Sequence, residues 1–137
     1  MERVKILVDW CDKNFCASTD DDRIGGSVVA THRTYDGVIE ALHEALSFHI
    51  EGCLADGDEL PNWLVEGEYN LEVDLSVSAL LRRSEQFTSY AAISRASGIN
   101  VQQLSHYANG IKHPRKEQRE RIVQGLHQIS NSILAMI

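Results

Sequence analysis

Apolar residues change their spacing twice in the first 75 residues of this chain, and that change limits what those residues can fold into. Over VKILVDW, residues 4–10, Val4, Ile6 and Val8 occupy alternate positions, as one covered face of a strand requires. From Asp36 to Cys53, Ile39, Leu42, Leu46, His49 or Ile50, and Cys53 recur at the spacing of one helix face. Alternation returns from Tyr69 to Leu75, with Leu71, Val73 and Leu75 inward. Phe15 to Ser18 and Ser27 to Thr34 add two short strands, joined by the polar link STDDDRIGG, where Gly25 and Gly26 supply turn freedom. A helix and a sheet that are each apolar on one side bury those sides together. Residues 1–75 are therefore predicted to form a βββαβ unit of the α+β class.

Local signals set the limits of the helix. Thr34 is its expected N-cap, and Asp36 in the first turn suits the positive end of the helix dipole. Glu40, Glu44, Ser47 and Glu51 take the polar face. Gly57 and Pro61, within ADGDELPNWLVEG, end the helix and mark a loop.

After Leu75 the pattern becomes one of short helices. SVSALLRRS makes the first, with Ser76 or Ser78 as cap and Leu80 and Leu81 inward. SYAAISRAS makes the second, packed through Ala92, Ile93 and Ala96. Gly98 permits a left-handed turn, Ile99 points back to the core, and Asn100 caps a third helix from Val101 to about Ala108. Asn109-Gly110 stops it, and His113-Pro114 is expected to open a fourth, since proline is tolerated at the first helical position. Residues 76–137 are thus predicted to be an all-α domain.

Charge divides at the same place. The whole chain carries a formal −7, but residues 1–75 hold 5 Lys and Arg against 17 Asp and Glu, a net −12. Residues 76–137 hold 8 against 3, a net +5. Opposite signs on two modules suggest opposite partners, although two solvated surfaces with no electrostatic task would show the same counts. No apolar run reaches the roughly 20 residues that cross a bilayer. The opening MERVKILVDW is interrupted by Lys5 and Asp9 and precedes no small-residue cleavage site, so a cytoplasmic protein is expected. Three cysteines without CxxC spacing are then expected to remain reduced thiols. Cys11 and Cys16 with His49 and Cys53 could instead supply four soft zinc ligands, but apolar packing explains them as well.

Catalytic signals are weak. Asp20, Asp21 and Asp22, or Asp56, Asp58 and Glu59, could hold a divalent cation, yet both clusters lie in predicted turns and neither fits an EF-hand loop. A metal-dependent nuclease would need carboxylates converging on Asp9, and the only other strand carboxylates are Glu72 and Asp74 on the solvent face. GxSxG, GxxxxGK[ST] and HExxH are all absent. No metal, cofactor or enzymatic activity is expected. The acidic clusters instead suit a basic partner.

The basic half carries a stronger signal. In ASGINVQQLSHYANGIKHPRKEQ, Leu104, Tyr107 and Ala108 face inward, leaving Gln102, Gln103 and His106 to point out from a helix that could enter a major groove. Glutamines offer donor and acceptor together to adenine edges, and His106 can donate to a purine. Asn109, Lys112, Arg115 and Lys116 are placed to hold phosphates, with Ser105 and His113 completing the expected contact set. A small helical bundle could also carry a glycine between its helices; the longer run through Asn109-Gly110 to the basic loop and proline is more specific. Ile122, Leu126, Ile129, Ile133 and Ile137 extend an apolar stripe to the end of the chain. Its outer part, Ile129, Ile133 and Ile137, is the expected seam of a homodimer, which would let two recognition helices read half-sites together.

These residues carry two resemblances. Gly98-Ile99, Leu104, Tyr107 and Asn109-Gly110 resemble the phage-repressor (Cro and Xre) class of helix-turn-helix. That resemblance implies that Val101, Gln102 and His106 face bases and that Asn109 binds phosphate. Ser94 stands where that class usually has alanine. The whole chain resembles the HicB antitoxin family through VKILVDW, then TYDGVIEALHEALSFHIEGCLADGDELPNWL, then the helix-turn-helix. This resemblance implies a partial, non-catalytic RNase H-like first domain that covers HicA, a small basic ribonuclease toxin, in a complex that represses its own operon. Many members of that family carry a ribbon-helix-helix instead. The alternative is a stand-alone repressor whose first domain senses a ligand or dimerises.

Overall fold

The computed structural model describes all residues, 1–137, and divides them into two compact units, Met1–Ser76 and Val77–Ile137. Together they are of mixed α+β class, with one four-stranded sheet and six α-helices.

In the first unit the strands are β1 (Glu2–Cys11), β2 (Asn14–Thr19), β3 (Val29–His32) and β4 (Tyr69–Leu75), arranged in the order β3-β2-β1-β4. The first three pair antiparallel, while β4 runs parallel to β1. Helix α1 (Tyr35–Ala55) provides the crossover that a parallel pair needs. The Thr34 hydroxyl accepts the Gly37 N–H at 3.0 Å, the N-cap that residue type and position led one to expect. Val4, Ile6, Val8, Phe15, Ala17, Val38, Leu42 and Leu46 are all buried in the core. The other sheet face is open, and Lys5, Asp9, Glu72 and Asp74 lie on it exposed.

Three details depart from the sequence expectations. A two-residue turn at Asp12 and Lys13, both at positive φ, closes the β1–β2 hairpin. It brings Cys11 and Cys16 to a Cα separation of 6.0 Å, and they form a disulfide. Reduced thiols at those two positions are thereby corrected, and the four-ligand zinc set loses two members. The loop after α1 contains a single-turn helix, α2 (Asn62–Val65), which buries Leu64 and is too short to show a period. Lastly, Arg23 ties together three segments. It donates to Asp21, to Glu2 and to the Arg3 carbonyl, and its guanidinium lies 4.7 Å from the Trp63 ring centre.

The second unit comprises α3 (Val77–Ser84), α4 (Tyr90–Ser97), α5 (Val101–Ala108) and α6 (Lys116–Ala135). Val77, Leu81, Ile93, Ile99, Leu104, Tyr107, Ala108 and Ile122 form its core. Gly125 lets α6 lie close on α4, since a Cβ there would come 3.2 Å from Ser97. The buried Ser78 hydroxyl donates to the Tyr107 carbonyl and Ser84 to that of Leu81, so neither polar side chain is orphaned. Helix α6 begins at Lys116 and not at Pro114, because Arg115 is still extended at φ −72 and ψ 166. No helix of either unit is long and apolar enough to cross a membrane.

Candidate functional site

Helix α5 is held at its start by two short-range devices. Gly98 adopts φ +75 as the C-cap of α4, its N–H reaching the Ser94 carbonyl at 2.9 Å. A side chain at this position would be strained, and its Cβ would meet Arg121 Nη2 at 2.8 Å. Two residues later the Asn100 side chain accepts the Gln103 N–H at 2.7 Å and caps α5. Ile99, between them, is buried and anchors the turn. The chain thus reverses within a few residues and presents one face of α5 to solvent.

Val101 and Gln102 are exposed, and Ser105 and His106 are half-buried. Gln103 is half-buried, and its Nε2 donates to the Tyr107 hydroxyl at 2.9 Å, one turn along the same helix. His106 Nδ1 is buried without a partner. Nε2 is therefore the ring nitrogen left to meet a partner.

Asn109 is occupied within its own unit. Its Nδ2 donates to the Ser105 carbonyl at 3.0 Å, and its Oδ1 accepts from Arg82 Nη2. Arg82 Nε also donates to the Ala108 carbonyl at 3.1 Å, so a guanidinium closes the carbonyl end of α5, where a cation is favoured. Sequence reasoning missed Arg82, because its partners lie 26 and 27 residues away. Lys112, His113 and Arg115 are exposed in the segment leading into α6, as is Lys116 at its first position, with Gly110 at φ +72 starting the turn. This arrangement offers hydrogen-bonding groups from Gln102 and His106, flanked by three cations.

The chain has no match among family models, curated proteins or solved structures.

Of the expected dimer residues, Ile129 is half-buried against its own core, while Ile133 is 50% and Ile137 98% exposed. A groove of about 520 Å³ includes Ile129 and Ile133 in its lining, with Leu80, Phe87, Leu126 and Leu134, but not Ile137.

The two acidic turns of the first unit are unlike each other. Asp20 and Asp22 are exposed, but Asp21 is turned to its own chain. It caps the short turn Asp22–Ile24 and pairs with Arg23 at 2.7 Å. The Arg23 guanidinium holds the Asp21 carboxyl below the usual carboxylate range, even though partial burial opposes this. Asp56, Asp58 and Glu59 are exposed after α1. Burial pushes the nearby Cys53 thiol up, with Asp58 and Asp56 adding to the effect. His49 Nε2 lies 2.9 Å from the Ile24 carbonyl and 3.6 Å from Cys53 Sγ, so it acts as a donor within the core edge. No group of three or more His, Cys, Asp and Glu is disposed to hold a metal ion. Asp9 accepts from the Trp10 N–H at 2.8 Å and the Ser76 hydroxyl at 2.6 Å.

Proposed function

We propose that this chain is a HicB-type antitoxin: its first unit occupies a small basic ribonuclease toxin, and its second binds operator DNA and represses transcription. The observation that carries the reading is the pairing of opposite charges with two separate units, −12 in the strand-bearing one and +5 in the helical one. DNA attracts a basic surface and rejects an acidic one, so the acidic unit has a different partner.

The α4–Gly98–α5 turn supports reading the second unit as a helix-turn-helix of the phage-repressor class. Val101 and Gln102 on the exposed face of α5 would meet base edges, His106 would offer Nε2, and Lys112, Arg115 and Lys116 would hold phosphates. Asn109 would reach phosphate only by giving up Arg82 or Ser105. The strand order and the parallel β1–β4 pair support reading the first unit as a partial RNase H-like fold. Inhibition would be steric and electrostatic, with the acidic unit covering the RNA-binding surface of the toxin. The exposed Ile133 and Ile137 support pairing of two copies, so that two α5 helices reach neighbouring half-sites.

Co-expression with a HicA-type toxin tests the reading. Growth should be restored, the two proteins should co-purify, and the complex should retard DNA from upstream of its own operon. A toxin that remains unbound and active against RNA would sink the antitoxin assignment, while DNA binding without it would leave a stand-alone repressor.

A further inference from the structure

Phe48 stands on α1 with 78% of its surface exposed, although Leu42 and Leu46 on the same helix are fully buried. A single exposed aromatic residue is ordinary, but this one forms a wall. Val29 on β3, an edge strand, is 69% exposed. Between α1 and the approach to β3 runs a groove of about 480 Å³, with Val28, Val29, Ala45, Phe48 and Gly52 among its lining. Gly52 leaves room there, since an added Cβ would meet no atom within 4 Å.

The rim is of one sign. Glu44 and Glu51 lie four residues before and three after Phe48, on the same side of the helix, and both are exposed. Asp56 lines the groove itself, and no Lys or Arg does. An apolar slot with an acidic border is complementary to a segment that carries a bulky aliphatic or aromatic side chain between cations.

We propose that this groove is the docking seat for a basic protein segment, with a Leu- or Phe-sized side chain inserted beside Phe48 and its neighbouring Lys or Arg residues meeting Glu44, Glu51 and Asp56. The proposal rests on the reading that the first unit engages a basic protein. It centres the contact on the face of α1, where Asp56 alone of the acidic turn residues lines the groove. Apolar burial holds the partner, and the carboxylates steer it and set its register.

The test uses the full chain and short fluorescent peptides read by anisotropy. One peptide alternates Lys with Leu; a second has Ser in place of every Leu. Phe48→Ala removes a wall that packs on little, and Gly52→Leu fills the slot at a helix position where leucine is favoured over glycine. Urea unfolding of each variant checks that it remains folded. Both variants should weaken the Lys–Leu peptide by roughly tenfold, the loss expected when one apolar side chain loses its seat. Their weak binding of the Lys–Ser peptide should be unchanged. Unaltered Lys–Leu binding in both folded variants would overturn the proposal, as would equal affinity of the wild type for the two peptides. Either result would leave toxin neutralisation to be judged by co-expression, so the two ideas fail separately.

Discussion

The Gln103 side-chain amide donates to the Tyr107 hydroxyl at 2.9 Å, joining two residues one turn apart on α5. Tyr107 is buried against Leu104 and Ile93, and this bond satisfies its hydroxyl where the core meets solvent. Gln103 therefore supports the helix, and its neighbour Gln102 is left to reach a partner. Adjacent glutamines face different surroundings because a helix turns about 100° per residue.

Gln102→Ala is expected to relax base preference while leaving unfolding by urea nearly unchanged. Gln103→Ala should do the reverse, costing roughly 0.5–1.5 kcal/mol of stability, the usual worth of one such hydrogen bond. Binding to a randomised operator pool, read beside urea curves, separates the two. A shift in base preference from Gln103→Ala alone would exchange their roles.

Lys112 is exposed in the basic segment before α6. Lys112→Ala should weaken binding to operator and to random DNA alike, and should flatten the dependence of log K on log salt by about one unit. Titrations at several salt concentrations measure the slope. A loss confined to the operator would make Lys112 a reader of bases.

Asp21 gives an acid-side prediction. Its carboxyl is held below the ordinary value of 3.8 by Arg23, so folding favours the ionised form. The stabilisation from this pair is present above that value and is lost as pH falls through the lower folded value. Asp21→Asn should melt at a lower temperature near neutral pH, and the gap to wild type should close in strong acid. Thermal melts across the acid range would show it. A gap that widens on acidification would reverse the sign of the argument.

Cys11 and Cys16 close a loop with a sequence separation of 5. Constraining so short a loop in the unfolded chain is worth about 2 kcal/mol in the entropic account. Reduction should lower stability by up to that amount without removing the sheet, since Val4, Ile6 and Val8 form its core independently. Urea titrations with and without reductant, followed by far-UV circular dichroism, measure both effects.

Periodicity made β1, α1, β4 and α5 legible before any coordinates, because burial of one face is recorded in the residues of the element itself. Thr34 and Asn100 were equally legible, since a cap bonds to a backbone group three residues away. Division of charge between the two halves follows from counting. Other features depend on what distant segments bring together. Arg82 reaches Asn109 across 27 residues, Arg23 reaches Glu2 across 21, and Val29 faces a slot whose other wall is Phe48. The sequence by itself determined the elements and their charges, because those are set by neighbours a few residues apart. Only the tertiary structure decided which polar groups remain available to a partner, because hydrogen bonds and ion pairs between distant residues occupy some of them and leave others exposed.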